Sequence, residues 1–426
     1  MKIQKILKRL LQLHPKSIDL SLDRIKRLLK DLNNPEEKIT NAIQVVGTNG
    51  KHSFCSTLRE IIETAGYSIN LNVSPSLKKF NERYYLAGKY ITDDELHDLL
   101  IEVEKINKNK NITFHEFICA CFFLSASRNN SDLNILESGL FFRLDASNVL
   151  KKNIASVIMP IGIDHKDFLK EGTIDEIVHE KCSALLDGSK IFVSEQKDTV
   201  LQKIKKKIYN NTSEKIIFNE NYTYKKNSSG FFYSDDLGKI SLPLPNLSGD
   251  FQISNVSTAI AVARKLEQFK ITDSHIKLAI TKIRSEGRLQ NITQGKLRNY
   301  VSKNNQILID GAHNPLAASV VEKYLGSLNS GRKIIMLLGM MGNKEHKKFI
   351  EIFKNRIHSI VALNIPNQTN FIEKIKLSKI AQSCGIPSKT ENSIESALKN
   401  IAKENDNAII FCTGSLYFAG EILNLN

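Results

Sequence analysis

The residues best suited to chemistry lie at positions 43–53, where the sequence reads IQVVGTNGKHS. A short apolar strand is followed by two glycines, a lysine and the start of a helix. Such a turn points backbone N–H groups and a helix dipole at one spot, and a lysine adds a charge for phosphate oxygens. The spacing differs from the general P-loop, in which four residues separate the glycines and Ser or Thr follows the lysine. The segment therefore predicts a phosphate site, with an ordinary turn and a solvated lysine as the alternative.

Further polar residues follow apolar strands, where side chains of an α/β sheet face the ligand crevice. Glu137 ends the predicted strand 133–136, and His165 follows the predicted strand 156–161. A carboxylate and an imidazole beside a phosphate turn indicate a metal site, while a solvated charge and a structural histidine are the alternatives. The stretch DGAHN at 310–314 is either a ligand-binding edge or a capped helix start.

Short apolar strands alternate with helices along the chain, which predicts an α/β protein with mainly parallel sheets. Strands are predicted at 43–46, 69–73, 133–136, 156–161, 190–194, 306–309, 333–339, 359–363 and 407–412. Helices are predicted at 57–65, 92–107, 113–127, 173–186, 255–269 and 273–282, and from near positions 315, 344, 372, 394 and 416. Polar–apolar alternation at 213–245 indicates β-hairpins.

This pattern predicts two domains. Residues 1–290 form a P-loop-type nucleotide-binding domain with a mainly parallel sheet and a β-hairpin-rich insertion, and residues 297–426 form a smaller, Rossmann-like α/β domain. The polar stretch 286–299 is predicted to link them.

Composition excludes several classes of protein. The 426 residues are 41% apolar and 25% charged, as in an ordinary soluble globular protein, and no apolar run reaches the length of a membrane span. The charged N-terminus predicts an amphipathic helix rather than a signal peptide, and six scattered cysteines fit a reducing cytoplasm. The net charge is +15, but the lysines are spread along the whole chain. We therefore expect no membrane and no nucleic acid as partner, and the basic surface suits a small polyanion such as ATP.

Nine short segments together resemble the folylpolyglutamate synthase/dihydrofolate synthase family of the Mur ligase superfamily. They are LHPKSIDL at 13–20, GTNGK at 47–51, SPSL at 74–77, FNER at 80–83, RLDASN at 143–148, IDH at 163–165, EGRLQ at 286–290, DGAHNP at 310–315 and TGSLY at 413–417. Each is weak alone, but their order and spacing cover nearly the whole chain. The resemblance implies an ATP-dependent amide ligase. ATP phosphorylates a carboxylate of a pterin substrate, and the amine of L-glutamate then attacks the acyl phosphate.

The same resemblance implies a role for each matching residue, and two domains that close over the ligands. Nucleotide contacts are expected from Asn49, Gly50, Lys51, His52, Ser53, Asn255, Arg288 and Asp310, and Mg²⁺ ligands from Ser74, Glu137 and His165. Catalytic roles are expected for Lys51, Lys181 and His313, and substrate contacts for Arg83, Asp145 and Ser415. Lys181 matches a family lysine that is carbamylated. A monomer that uses dihydropteroate, a reduced folate or both is the expectation.

Three departures from the family pattern leave other readings open. His52 stands where the family usually has Gly, Phe141-Phe142 replaces Gly-Gly, and Asn343-Lys344-Glu345 replaces a DKD-like segment. A catalytically impaired nucleotide-binding homologue with a regulatory or interaction role is one alternative. Another Mur-type ligase acting on a cell-wall precursor is the other. The retained metal and nucleotide residues favour an active enzyme.

Overall fold

Residues 2–16, 18–328 and 331–426 are described by a computed structural model, whose internal contacts divide the chain into two units. The first comprises Met1–Gly162, Thr173–Asn246 and Gln252–Ile283, and the second comprises Ile163–Gly172, Leu247–Phe251 and Arg284–Asn426. Ser17, within the 13–20 motif, lies outside the described residues. The domain boundaries at 290 and 297 stay a prediction.

The helices have the following bounds. They are α1 Lys2–Leu10, α2 Asp23–Asp31, α3 Lys51–Thr64, α4 Asp93–Asn107, α5 Phe114–Arg128, α6 Ile174–Cys182, α7 Asp198–Lys207, α8 Phe251–Lys265, α9 Asp273–Lys282, α10 Pro315–Ser327, α11 His346–Ile352, α12 Lys374–Ser383, α13 Ile394–Glu404 and α14 Leu416–Asn424. Short 3-10 helices lie at Pro35–Lys38, Phe80–Arg83, Lys166–Phe168 and Lys296–Tyr300.

The strands have the following bounds. They are β1 Ala42–Val46, β2 Ile69–Asn72, β3 Tyr84–Leu86, β4 Lys89–Tyr90, β5 Leu133–Glu137, β6 Ala155–Ile158, β7 Lys190–Val193, β8 Glu214–Ile217, β9 Tyr222–Lys226, β10 Gly230–Asp235, β11 Gly238–Pro243, β12 Gln290–Asn291, β13 Gln306–Ile309, β14 Lys333–Leu338, β15 Ser359–Ala362, β16 Ser388–Thr390 and β17 Ala408–Thr413.

An eight-stranded sheet organises the first unit, in the order β4-β3-β2-β5-β1-β6-β7-β8. Strands β2, β5, β1, β6, β7 and β8 run parallel, while β3 and β4 add an antiparallel edge. Every residue of β1 and β5 is buried, as expected for parallel strands covered on both faces. The carboxyl ends of β2, β5, β1 and β6 therefore lie at one edge, where ligands of such sheets bind.

Four helices build an apolar layer in the first unit. Residues of α1, α2, α4 and α5 share one hydrophobic cluster. α5 is apolar around most of its circumference and is buried over most of its length. Thr92 and Thr113 cap α4 and α5, each in a capping box with a glutamate three residues on.

The hairpin region is confirmed in part. β9, β10 and β11 form an antiparallel three-stranded sheet. Residues 214–217, which the alternation assigned to the hairpins, instead form the parallel edge strand β8, paired with β7. Pairing with a neighbouring strand thus overrides the local pattern there.

The second unit has a six-stranded sheet in the order β12-β13-β17-β14-β15-β16, parallel except for β12. The α/β prediction for the C-terminal part is therefore confirmed. The predicted linker 286–299 contributes β12 and the start of a 3-10 helix to this unit, and its role as a hinge stays a prediction. Among helices of the described residues, none combines the length and apolar character needed to cross a bilayer.

Three predicted helices differ from the structure by four or more residues at one or both ends. The helix predicted at 255–269 is α8, which begins and ends four residues earlier. α3 begins at Lys51 rather than 57, because Gly50 adopts a left-handed conformation as the residue before the helix. The helix predicted at 173–186 ends at Cys182, and the carbonyl groups of Leu185 and Leu186 instead accept hydrogen bonds from Asn211.

Candidate active site

The turn between β1 and α3 requires its two glycines. Gly47 has φ +148° and Gly50 has φ +81°. A Cβ at Gly47 would lie 2.7 Å from Met159 Cβ, and one at Gly50 would lie 2.6 Å from Asn255 Oδ1. Any side chain at these positions would collide with Met159 or Asn255, so glycine allows the turn to pack closely against both residues.

The turn is held to the end of β6. The backbone N–H groups of Thr48 and Asn49 donate to the carbonyl of Pro160 at 2.9 and 3.2 Å. The Thr48 hydroxyl and the backbone of Gly162 are also hydrogen-bonded. Because these two N–H groups are engaged, the start of α3 is the part of the turn best placed for an anion.

Two lysines converge on one carbonyl in this turn. The Nζ atoms of Lys51 and Lys181 lie 3.2 and 2.9 Å from the carbonyl oxygen of Gly47. Lys181 is only 5% exposed, and Lys51 Nζ lies 3.9 Å from Glu137 Oε1. Two ammonium groups beside a helix N-terminus give this spot the positive charge that a polyphosphate needs.

Ser74 and Glu137 supply oxygen atoms at the same edge of the sheet. β2 and β5 are in register at Asn72 and Leu136, and Glu137 pairs with Val45 of β1. The Ser74 hydroxyl accepts a hydrogen bond from Arg83 Nη1 at 3.1 Å, and the nearly buried Glu137 faces Lys51. Both oxygen groups thus attract cations in the protein itself, and oxygen ligands are those that Mg²⁺ prefers, so these residues fit a magnesium ion.

His165, the third predicted metal ligand, belongs to the second unit. Its Nε2 atom lies 3.8 Å from Asp164 Oδ2. Among the described residues, no group of three or more His, Cys, Asp or Glu side chains is placed to hold a metal ion by itself. An ion at Ser74 and Glu137 would therefore need further ligands, which water and phosphate oxygens commonly supply to Mg²⁺, and the role of His165 stays a prediction.

Asp145 organises the loop that follows β5. Its Oδ1 accepts hydrogen bonds from the backbone and hydroxyl of Ser147, and its Oδ2 accepts from the backbone of Gly139 and Leu140. His115 Nε2 lies 3.3 Å from Oδ2. Burial alone would raise the pKa of Asp145, but the charge of His115 and these hydrogen bonds lower it to about 2. The carboxylate therefore shapes its own loop, and its contact with substrate stays a prediction.

The Phe141-Phe142 departure is accommodated by burial. Phe141 has φ +57° and is 2% exposed. Its ring centroid lies 5.6 Å from Lys181 Nζ. A residue with a Cβ in the left-handed region costs roughly 1 kcal/mol or more, which burial of the ring and its contact with the ammonium offset. The loop thus keeps a backbone conformation suited to glycine while presenting a phenylalanine to Lys181.

Two loops of the second unit meet at the ends of β13 and β17. Gly414 N donates to the Ala312 carbonyl at 3.0 Å. The buried Asp310 accepts hydrogen bonds from the backbone of Ala312 and Leu289 at 2.7 and 2.8 Å. Ser415 caps α14 by accepting from the backbone N–H of Tyr417. The structure therefore brings the DGAHNP and TGSLY motifs side by side.

Asp310 and Arg288 lie in this same region. Burial raises the pKa of Asp310, although the positive charge of Arg288 opposes the shift. A Cβ at Gly311 would lie 2.8 Å from Arg288 Nη1. Gly311 therefore leaves room for the guanidinium group beside the strand end.

Asp164 lies in the IDH segment and Lys344 lies in the departing segment 343–345, and the sequence assigned neither of them a role. Asp164 Oδ1 accepts a hydrogen bond from Lys344 Nζ at 2.7 Å, and Oδ2 accepts one from Asn314 Nδ2 at 3.1 Å. Burial opposes ionisation of Asp164, but the hydrogen bond from His313 and the charges of His165, His313 and Lys344 hold its pKa well below the usual range. The position of Asp164 directly before His165 is the signal that could have marked it.

Two family models match long segments of the chain. Residues 45–263 match the family model described as Mur ligase middle domain, and residues 293–425 match the one described as Dihydrofolate synthetase, C-terminal domain. A dihydrofolate synthase/folylpolyglutamate synthase of Buchnera aphidicola subsp. Acyrthosiphon pisum is 30% identical over 388 residues, covering 89% of this chain and 88% of that protein.

Two further proteins resemble the chain over nearly its full length. A dihydrofolate synthetase of Saccharomyces cerevisiae is 26% identical, covering 96% of this chain and 98% of its own. The solved structure of Escherichia coli FolC in complex with DHPP and ADP has a TM-score of 0.88 at 22% identity, covering 99% of this chain and 97% of that one. At this identity the structural likeness shows a shared fold.

The Asp145 network gives a stability prediction. Asp145→Asn places an amide NH₂ group against backbone donors and leaves His115 without its anion, so we expect the free energy of unfolding at pH 7 to fall by about 3 kcal/mol. Because the native pKa is lowered, this contribution is present above the ordinary pKa of Asp and is lost as the pH falls toward 2. Urea denaturation across that pH range measures both effects.

The control is Asp236→Asn, which removes an exposed partner of Lys265 and should change the free energy of unfolding by roughly 0.5 kcal/mol or less. Equal stability of the two variants at pH 7 would contradict the assigned network.

Proposed function

The chain belongs to the dihydrofolate synthase/folylpolyglutamate synthase family of Mur-type ligases, and on that premise we propose that it joins L-glutamate to dihydropteroate, a reduced folate or both, using ATP. The observation that carries the proposal is the pair of lysine ammonium groups on the Gly47 carbonyl, at the N-terminus of α3. The two ammonium groups lie beside the glycine-containing turn at the start of α3, and phosphoryl transfer requires such positive charge near the phosphates.

The reaction proceeds in two steps. A carboxylate oxygen of the pterin substrate attacks the γ-phosphorus of ATP, the bond to the β-phosphate oxygen breaks, and ADP leaves. The glutamate amine then attacks the acyl carbon, phosphate leaves, and the nitrogen loses a proton as the amide forms. Both steps depend chiefly on positioning and on neutralisation of phosphate charge.

The first unit supplies the phosphate contacts in this proposal. Asn49, Gly50, Lys51, His52 and Ser53 surround the start of α3. The Lys51 ammonium moves from the Gly47 carbonyl to phosphate oxygens, and Lys181 keeps the carbonyl oriented. Asn255 packs against Gly50 and contributes to the nucleotide site. Carbamylation of Lys181 remains a prediction, and it is an alternative to the ammonium contact described here, because a carbamate would replace that positive charge by a negative one.

A magnesium ion is assigned to Ser74 and Glu137, with His165 predicted as a further ligand. A bound magnesium ion would be held by these oxygen groups and would supply charge neutralisation for the phosphates. The residues themselves supply two oxygen groups at the sheet edge, each already beside a cationic side chain. The E. coli relative was solved with ADP, which supports the nucleotide assignment.

The second unit contributes further proposed contacts. Arg288 and Asp310 are assigned to the nucleotide, while His313 and Ser415 are assigned to glutamate or the acyl phosphate. The proximity of the DGAHNP and TGSLY loops supports this grouping. Arg83 and Asp145 of the first unit are assigned to the pterin substrate, Arg83 directly and Asp145 through the loop that it shapes.

We also propose that the protein acts as a monomer in the cytoplasm. All six cysteines are free thiols and buried, which supports a reducing compartment. Light scattering on the purified protein tests the monomer.

ADP release tests the proposed reaction. Purified protein is incubated with Mg-ATP, L-glutamate and either dihydropteroate or tetrahydrofolate. We expect ADP and the glutamylated product in equal amounts with at least one acceptor, and ADP release that depends on glutamate.

Lys51→Ala tests the phosphate site in the same assay. The variant removes one phosphate-neutralising charge and should slow turnover about 10²-fold or more. Absence of ADP with both acceptors would contradict the ligase assignment and favour the impaired homologue. Wild-type rates in Lys51→Ala would contradict the phosphate site.

Magnesium dependence tests Glu137. Glu137→Gln keeps the shape of the side chain but removes its charge, so we expect the Mg²⁺ concentration for half-maximal activity to rise about tenfold or more. Glu63→Gln, in the same unit and paired with Arg59 and Tyr85, should leave it unchanged. The same magnesium dependence in both variants would remove Glu137 from the metal site.

A further inference from the structure

Two ion pairs tie the segment 163–172 to the turn before α11, both within the second unit. Asp164 Oδ1 lies 2.7 Å from Lys344 Nζ, and Lys166 Nζ lies 3.1 Å from Glu345 Oε1. The first pair is nearly buried, with side-chain exposures of 8% and 9%, whereas the second is 39% and 25% exposed. The two pairs join the same segments in very different surroundings.

The buried pair also contacts the loop 310–315, whereas the further partner of the exposed pair is Lys348, whose Nζ lies 2.9 Å from Glu345 Oε1. Asp164 Oδ2 accepts from Asn314 Nδ2 at 3.1 Å and lies 3.5 Å from His313 Nε2. His313 Nδ1 lies 2.8 Å from the Gly311 carbonyl oxygen. Both ring nitrogens of His313 therefore face acceptors, which fixes the plane of the ring.

We propose that Asp164 is a positioning residue, whose carboxylate holds the His313 ring and the Lys344 ammonium group in the orientation in which they meet the incoming glutamate. The inference rests on the proposed function, which assigns His313 to that substrate. Lys344 Nζ lies close enough to Asp164 to be fixed by the same carboxylate.

A role of the Asp164–Lys344 pair only in joining the segment 163–172 to the turn before α11 explains these contacts less well. Desolvation of a buried ion pair consumes much of its Coulomb energy, and Lys166–Glu345 already joins the two segments at the surface. The carboxylate of Asp164, unlike that of Glu345, lies beside an imidazole, an ammonium group and an amide at the same time. Preorganisation of polar groups is how proteins meet a charged substrate without reorganisation during the reaction.

Steady-state kinetics of Asp164→Asn test the proposal. The substitution keeps size and shape but removes the negative charge that faces the His313 ring and the Lys344 ammonium group. We expect the KM for glutamate to rise and kcat to fall, each about tenfold, with the KM for ATP unchanged within about twofold. Glu345→Gln is the matched control, since it weakens the other tie between the same segments and should leave all three parameters within about twofold of wild type.

Asp164→Glu covers the case in which Asp164→Asn does not fold. It keeps the charge for Lys344 but moves the carboxylate by one methylene relative to His313. We expect the same selective effect on glutamate in this variant. A uniform loss of activity in both Asp164 variants, or the same kinetics in Asp164→Asn as in Glu345→Gln, would overturn the proposal.

A spectroscopic measurement separates this inference from the proposed function. The ¹⁵N signals of the His313 ring, assigned with His313→Gln, should shift in Asp164→Asn and stay in place in Glu345→Gln. Unchanged ring signals in Asp164→Asn would overturn the positioning role even in an active enzyme. Absence of ADP release by the wild-type protein would contradict the proposed function, and the ring signals would still decide whether Asp164 orients His313.

Discussion

The carbonyl oxygen of Gly47 is the point on which the first unit's site depends. It lies at the end of a fully buried parallel strand and accepts hydrogen bonds from both Lys51 and Lys181. A carbonyl carries only a partial negative charge, so two ammonium groups beside it leave a net positive spot. In the proposed function a polyphosphate would relieve this excess charge, and Glu137 at 3.9 Å from Lys51 offsets part of it within the protein.

The surrounding fold keeps that point in place. Pro160 at the end of β6 holds the turn through two backbone hydrogen bonds, and the register of β1 with β5 brings Glu137 beside it. The Phe141 ring lies against Lys181, so the departure from glycine bears directly on one of the two ammonium groups. A side chain at this position therefore alters the electrostatic surroundings of the turn as well as the shape of the following loop.

Local sequence pattern predicts the elements that carry this site. Apolar runs of four or five residues locate β1 and β5, and Gly-Lys before an apolar period locates the turn and α3. Parallel strands bring their carboxyl ends to one edge, so the neighbourhood of Lys51, Ser74 and Glu137 follows once the strand order is known. That order depends on long-range pairing, which is also why β8 joined the large sheet.

The contacts around Asp164 could not be predicted from local sequence pattern. The residues that make them come from positions 164–165, 313–314 and 344, so no local window contains them. The assignment of 163–172 to the second unit likewise rests on contacts between residues far apart in sequence. The left-handed conformation of Phe141 could not be predicted from the local sequence either. Such a conformation strongly favours glycine, and tertiary packing overrides that local preference.

Equilibrium binding of ATP to Gly50→Ala and Gly66→Ala tests the central claim most directly. Both glycines have positive φ at opposite ends of α3, so both variants carry a similar backbone strain. A Cβ at Gly50 would lie 2.6 Å from Asn255 Oδ1, whereas none of the described atoms lies within 4 Å of one at Gly66. Calorimetric titration with Mg-ATP should show affinity lost about 10²-fold in Gly50→Ala and retained in Gly66→Ala. Equal affinity in the two variants would contradict the assignment of this turn as the phosphate site.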